Sequence, residues 1–170
     1  MEIEVKLTYK NKEEIIKWLK ENGFHLAHQK EIQDTYFGAG NHSMSNKNSL
    51  YRIRNLVGQK LQLTLKDKCL DQNGVWSRRE LEVSIDNIEA TKEILYSLGC
   101  VLIKENFSQR DIWEDGKVSF EFISFSKPAV LNLIEIEGPS QEVIQKIVDK
   151  LGDKVQVAGE EIFAIFDKKN

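Results

Sequence analysis

Residues 2–7 read Glu2-Ile3-Glu4-Val5-Lys6-Leu7, a strict alternation of full charges and aliphatics. Successive side chains on a strand point to opposite faces. The stretch therefore predicts a strand with Glu2, Glu4 and Lys6 on one side and Ile3, Val5 and Leu7 on the other. The polar face of an ordinary half-buried strand mixes Ser, Thr, Lys and Gln, whereas this one carries only ionised groups. The same habit returns along the chain. Arg52 and Arg54 alternate with Tyr51 and Ile53, and Gln62, Thr64 and Lys66 with Leu61, Leu63 and Leu65. Arg78, Glu80 and Glu82 alternate with Leu81 and Val83. Glu121 lies between Phe120 and Phe122, and Glu135 and Glu137 lie beside Ile134 and Ile136.

Period-two patterning of this kind predicts strands over 2–7, 49–56, 59–66, 77–85, 117–125 and 133–137. Two further extended segments, 25–37 and 101–113, follow helix patterns, and 38–48 and 67–75 read as polar loops. Three helices are punctuated by a polar cap, an apolar stripe and a closing glycine. Asn11 caps the first, which carries Ile15, Ile16 and Leu19 and stops at Gly23. Asp86 caps the second, with Glu89 three residues on, an apolar side of Ile88, Ile94, Leu95 and Leu98, and Gly99 at its end. Ser140, after Pro139, caps the third, which bears Val143, Ile144, Ile147, Val148 and Leu151 and ends at Gly152. The tail over 159–170 reads as a short fourth helix. Residues 13–36 and 89–113 look like a repeat: a helix, a glycine, an extended segment, then Asp34-Thr35-Tyr36 or Asp111-Ile112-Trp113.

The chain has 170 residues, 41% of them hydrophobic, and a formal net charge of -3. A single α+β domain over 1–170 is the expectation. Near-balance of charge argues against a nucleic-acid partner, which normally meets a clear basic excess. No apolar run approaches the roughly 18–20 residues that span a membrane. The start lacks the basic-then-apolar pattern of a signal peptide, so a cytoplasmic location is expected. Cys69 and Cys100 stand alone and read as reduced structural thiols. His25, His28 and His42 have no spacing that brings them together, and Trp18, Trp76 and Trp113 read as packing residues. Glu160 and Glu161 read as a solvated helix start.

Two architectures satisfy the alternation. In one, helices cover the apolar face of a sheet and the charges meet water, where cross-strand ion pairs contribute little. In the other, the sheet curls into a barrel, helices pack outside and the charges line the interior; about eight strands close a small barrel. The acid doublets Glu2/Glu4, Glu80/Glu82 and Glu135/Glu137 and the basic pair Arg52/Arg54 tilt the choice toward the barrel. Carboxylate clusters bind hard cations such as Mg²⁺ or Mn²⁺ through oxygen. Arginine forks and lysine point charges bind phosphate oxygens. Together the two sets suit a polyphosphate held against a metal.

With these residues in view, the chain resembles the CYTH domain, or triphosphate tunnel metalloenzyme, family, which includes class IV adenylyl cyclases, thiamine triphosphatases and inorganic triphosphatases. Glu2-Ile3-Glu4-Val5-Lys6 is similar to its N-terminal Glu-x-Glu-x-Lys strand. Asp34-Thr35-Tyr36-Phe37, Tyr51-Arg52-Ile53-Arg54, Leu63-Thr64-Leu65-Lys66, Arg78-Arg79-Glu80-Leu81-Glu82 and Glu135-Ile136-Glu137-Gly138 then match its later segments in order. The resemblance implies an eight-stranded antiparallel closed β-barrel with a charged interior and helices outside. It implies metal ligation by Glu2, Glu4, Glu80, Glu121, Glu135 and Glu137, with Mg²⁺ or Mn²⁺ as cofactor. It assigns the triphosphate to Lys6, Arg52, Arg54, Lys66, Arg78 and Arg110, and the catalytic roles to Glu4, Lys6 and Glu82. Departures are Gly38 where an acid often follows Tyr-Phe, Glu121 where Asp is usual, and a basic pair spread out as Lys104 and Arg110. Whether Arg78 or Arg79 faces inward depends on register; spacing two from Glu80 favours Arg78. The leading expectation is metal-dependent hydrolysis of a triphosphate by a monomer or homodimer, without a nucleic-acid or membrane partner. A class IV adenylyl cyclase making cyclic AMP and pyrophosphate, and a non-catalytic polyphosphate- or nucleotide-binding module, are the alternatives.

Overall fold

The computed structural model describes residues 2–40, 49–67, 70–72 and 75–159, with backbone alone for Glu2, Trp76 and 70–72. The expected tail helix beyond Gly159, together with His42, Cys69, Glu160, Glu161 and the side chains of Glu2 and Trp76, lies outside the described residues. The elements run β1 (Glu2–Tyr9), α1 (Lys12–Glu21), β2 (His25–Ala39), β3 (Leu50–Leu56), β4 (Lys60–Lys66), β5 (Leu70–Gln72), β6 (Val75–Arg78) and β7 (Glu80–Ile85). They continue with α2 (Ile88–Ser97), β8 (Cys100–Glu114), β9 (Ser119–Lys127), β10 (Leu131–Glu137), α3 (Gln141–Leu151), a 3₁₀ turn (Gly152–Lys154) and β11 (Val155–Val157).

All the strands join one antiparallel sheet in the order β5-β6-β1-β10-β9-β8-β2-β3-β4-β7, with β11 also on β1. Its two ends meet through one stretch of chain. β6 pairs with β1 and β7 pairs with β4, and only Arg79 separates them. Residues 75–85 therefore hydrogen-bond to both ends of the sheet and bring it round into a nearly closed α+β barrel. Eleven strands form among the described residues, where eight were expected. The difference has three sources. Arg79 divides the single strand expected over 77–85, β5 forms inside the expected 67–75 loop by pairing with β6, and β11 follows the last helix onto β1.

The apolar face of the barrel points outward, under the helices. Val5 and Leu7 of β1, Phe120 and Phe122 of β9, and Ile134 and Ile136 of β10 pack beneath Ile15 and Leu19 of α1 and Ile144 and Leu151 of α3. Gly138 lets α3 approach closely; a Cβ there would lie 3.1 Å from Ile144 Cγ1. A second cluster joins Phe37, Ile53 and Cys100 to Leu95 of α2. Burial of a large aliphatic or aromatic side chain contributes roughly 1.5–3 kcal/mol, so these two seams hold the helices to the barrel.

Asn11 and Ser140 cap α1 and α3 as expected, accepting from Glu13 and Glu14 and from Val143 respectively. The cap of α2 is Asn87 rather than Asp86, and its side chain accepts from Ala90 N. Asn87 is extended like the other caps, with φ -139° against -141° at Asn11 and -157° at Ser140, which places its amide oxygen over the first turn. The expected apolar side of α2 is narrower than its sequence suggests, because Ile94 and Leu98 are 60% and 72% exposed. Leu95 of that expected side is buried, and Thr91 joins it. No helix among the described residues is long and apolar enough to cross a membrane.

Candidate functional site

Because the outer face takes the aliphatics, alternation sends the charges inward. On β1, Glu4 is 2% exposed and Lys6 is largely covered. Lys6 Nζ lies 2.5 Å from Glu4 Oε1 and 2.9 Å from Glu135 Oε2, its register neighbour on β10. Arg78 Nη2 donates to Glu4 Oε1 at 3.1 Å, and Arg78 Nε stands 3.3 Å from Glu80 Oε1. Lys66 donates to Glu80, and Arg52 Nη2 stands 3.7 Å from the same carboxylate while donating to Thr64 Oγ1 at 3.2 Å. On the opposite wall Arg110 donates to Glu121 and its Nη2 lies 4.0 Å from Asp34 Oδ2. Arg54 donates to the two oxygens of Asp34 from Nε and Nη2, each at 2.7 Å.

Six expected phosphate-binding cations thus line one interior: Lys6, Arg52, Arg54, Lys66, Arg78 and Arg110. Each lies within 4.0 Å of a carboxylate. Of the two arginines that register left open, Arg78 is inside and Arg79 is exposed. Lys104 stands opposite Tyr36, with its ammonium 5.7 Å from the ring centre. Among the expected ligands, Glu4, Glu121 and Glu135 stand on the neighbouring strands β1, β9 and β10, with Glu137 exposed beside them. Glu80 stands apart from that row, engaged by Lys66 and Arg78. Glu82 is exposed and accepts from Gln62 and Thr64; among the described residues it makes no bond to Glu4 or Lys6.

The electrostatics follow the pairing. Burial and then the Glu135 charge push the Glu4 carboxyl up, against the pull of Lys6 and Arg78. Burial opposes ionisation of Glu135 too, but Lys6 and a hydrogen bond from Glu4 hold it well below the usual carboxylate range. Partial burial, followed by Glu135, Glu4, Glu121 and Glu80, pushes Glu137 up. Burial lowers the proton affinity of Lys6, yet Glu135 and Glu4 more than reverse this. Glu4 and Glu137, whose proton affinity neighbouring carboxylates raise, are the donors on which added positive charge would act most strongly. No group of three or more His, Cys, Asp or Glu side chains among the described residues is arranged as a metal cage. The donors of β1, β9 and β10 are nevertheless all carboxylate oxygens, the chemistry that suits Mg²⁺ or Mn²⁺.

Two orphaned donors mark the cation wall. Arg52 Nε and Arg110 Nε are buried with no hydrogen-bond partner among the described residues. Leaving such a donor unmatched costs about 1–3 kcal/mol, a cost that an anion would remove. The interior also holds residues with no assigned role, of which Gln62 and Thr64 were expected on the face of Lys66 while Asp34, Asn106 and Ser108 were not singled out as interior. Asp34, Gln62, Thr64, Asn106 and Ser108 are buried, and Asp34 and Asn106 are register partners. Spacing two from Tyr36 was the available signal for Asp34. Ile32, Leu50, Leu56, Ile112, Ile123 and Leu133 share the inner parity, are buried, and belong to neither outer cluster. They flank the charges with hydrocarbon, which strengthens each ion pair by excluding water.

The CYTH domain family model matches residues 1–159. A structure from Pyrococcus horikoshii is similar at 25% identity, covering 92% of this chain and 94% of that one with a TM-score of 0.74. A candidate adenylyl cyclase from Hippeastrum, described as revealing a dominant triphosphatase activity, shares the fold at 18% identity, covering 98% and 95% with a TM-score of 0.73. A candidate adenylate cyclase from Bacillus halodurans shares it at 19% identity, covering 98% and 97% with a TM-score of 0.65. No curated protein matches the sequence significantly.

Proposed function

The chain belongs to the CYTH domain family, and from that premise we propose that it hydrolyses a triphosphate inside the barrel. The observation that carries this reading is the array of six buried or half-buried cations along one interior, two of which keep buried Nε–H donors without a partner among the described residues. A triphosphate chain brings several negative charges and many acceptor oxygens, and needs an array rather than a single contact. Arg54 and Arg110, gathered at Asp34, supply forks on one wall, and Lys6, Arg52, Lys66 and Arg78, gathered at Glu4 and Glu80, supply charge on the other. The flanking aliphatic side chains keep bulk water from the phosphates and hold the array in place.

Glu4 and Glu135, with Glu121 and Glu137, would hold a divalent cation, which when bound neutralises phosphate charge. Glu82 is the carboxylate suited to take a proton from the attacking water. Its partners are the neutral Gln62 and Thr64, whereas Glu4 and Glu80 are tied to cations. Attack of that water oxygen on the terminal phosphorus breaks the bridging P–O bond and frees phosphate, and the leaving diphosphate (pyrophosphate from tripolyphosphate, the organic diphosphate from thiamine triphosphate or ATP) stays among the cations. Lys6, between Glu4 and Glu135, offsets the charge that builds beside them.

A substrate panel tests the reading. Inorganic tripolyphosphate, thiamine triphosphate and ATP are offered with Mg²⁺ or Mn²⁺, and phosphate, pyrophosphate and cyclic AMP are measured separately. Phosphate release that depends on the cation is expected. Cyclic AMP with stoichiometric pyrophosphate would instead establish the cyclase, and binding without turnover would establish a non-catalytic module.

A further inference from the structure

Asp34 is an acid on the cation wall, with no place in the ligand or phosphate sets expected from sequence. It is 2% exposed, and both of its oxygens accept from Arg54 at 2.7 Å. It also stands 4.0 Å from Arg110. A guanidinium offers five N–H donors in a rigid fork. Asp34 takes one from Nε and one from Nη2 of Arg54, and so fixes both the position of the fork and the direction in which the other three point. Glu121 lies within electrostatic reach of Arg54, and Arg110 is already bonded to Glu121. Without Asp34, Arg54 has a carboxylate of the acid row to move toward, which would draw it off the anion wall.

On the reading that the interior binds a triphosphate, we infer that Asp34 is a positioning residue, clamping Arg54 so that its free edge and the neighbouring Arg110 meet the phosphate oxygens together. Its own charge has the same sign as the ligand's. A merely electrostatic role would therefore make Asp34 a competitor, and its neutralisation would tighten binding. A clamp predicts the reverse sign.

The test uses the full chain, with turnover of tripolyphosphate measured for wild type, Asp34→Asn, Arg54→Gln and the double variant. Asp34→Asn is expected to raise KM at least tenfold while kcat changes less than threefold. In the Arg54→Gln background, adding Asp34→Asn is expected to change KM less than twofold, because the clamp then has nothing to hold. If the two losses multiply, or if Asp34→Asn leaves KM unchanged or lowers it, the inference is wrong and the triphosphatase reading stands. If wild type turns over neither tripolyphosphate nor any other triphosphate, the functional reading itself fails and takes this inference with it. Circular dichroism reports whether Asp34→Asn folds. If it does not, Asp34→Glu replaces it, keeping the charge but displacing the clamp by one methylene. That variant is expected to raise KM at least threefold, and an unchanged KM would overturn the clamp.

Discussion

Arg78 Nη2 donates to Glu4 Oε1 at 3.1 Å, tying the last residue of β6 to β1 across the line where the sheet comes round on itself. The bond lies in a largely buried setting, with 10% and 3% of the two side chains exposed. Exposed ion pairs contribute little, whereas removing one partner of a buried pair leaves an uncompensated charge. The barrel therefore carries its charges as a network of buried and half-buried ion pairs.

Arg78 and Arg79 are adjacent in sequence and opposite in consequence. Arg78 engages Glu4 and Glu80 inside, and Arg79 is exposed at the single-residue break between β6 and β7. Charge-assisted hydrogen bonds are worth about 1.5–3 kcal/mol, so Arg78→Ala is expected to raise KM for tripolyphosphate roughly tenfold or more. Arg79→Ala is expected to stay within twofold of wild type. Steady-state kinetics of the two variants decides, and equal effects would show that the inner register is misread.

Glu4 is buried and accepts from both Lys6 and Arg78. Glu4→Gln keeps the shape and an acceptor oxygen but removes the charge. Loss of a residue supporting a metal site typically costs about 10–100-fold, and a ligand itself should cost at least the upper figure. Cation-dependent phosphate release is expected to fall by at least about 100-fold, with an unchanged far-ultraviolet circular dichroism spectrum. A folded variant with wild-type turnover would remove Glu4 from the site.

Much of this was legible because the inner and outer faces differ so sharply in chemistry. Glu4 and Lys6 against Val5 and Leu7 can be sorted by period two alone, and the burial of both sets within one barrel follows from closure. What period two could not supply was strand ends and pairing. Arg79 interrupts an unbroken alternation, and β5 and β11 are three-residue strands that exist through their partners β6 and β1. The apparent repeat shows the limit in one residue. Gly23 to Asp34 spans 11 positions and Gly99 to Asp111 spans 12, and a one-residue offset exchanges the faces of a strand. Asp34 accordingly faces Arg54 inside, while Asp111 accepts from Lys12 and Gln29 outside.

The cap of α2 gives a stability test independent of any activity. Asn87 accepts from Ala90 N at 2.9 Å, and Asp86 lies one residue before it. Replacing a capping Asn by Ala costs about 1 kcal/mol. Asn87→Ala is expected to lower the unfolding free energy by that order in urea, and Asp86→Ala to leave it nearly unchanged. The opposite ranking would restore Asp86 as the cap.

Asp34 also sets an acid limit on the fold. Burial pushes its carboxyl up, but the charge and hydrogen bonds of Arg54, joined by the charges of Arg52 and Arg110, bring it down to about 2 from the ordinary 3.8. A carboxyl depressed in the folded state favours folding wherever it is ionised. The contribution is fully present above about pH 4, and is lost as pH falls through the folded value of about 2. The shift corresponds to about 2 kcal/mol. Urea unfolding of wild type and Asp34→Asn from pH 6 to pH 1.5 isolates this group, because the remaining carboxylates titrate in both proteins. The difference between them is expected to be constant from pH 6 to about pH 4 and then to shrink by about 2 kcal/mol on further acidification. A difference that stays flat to pH 1.5 would mean that the Arg54 clamp gives the ionised carboxylate no advantage in the folded protein.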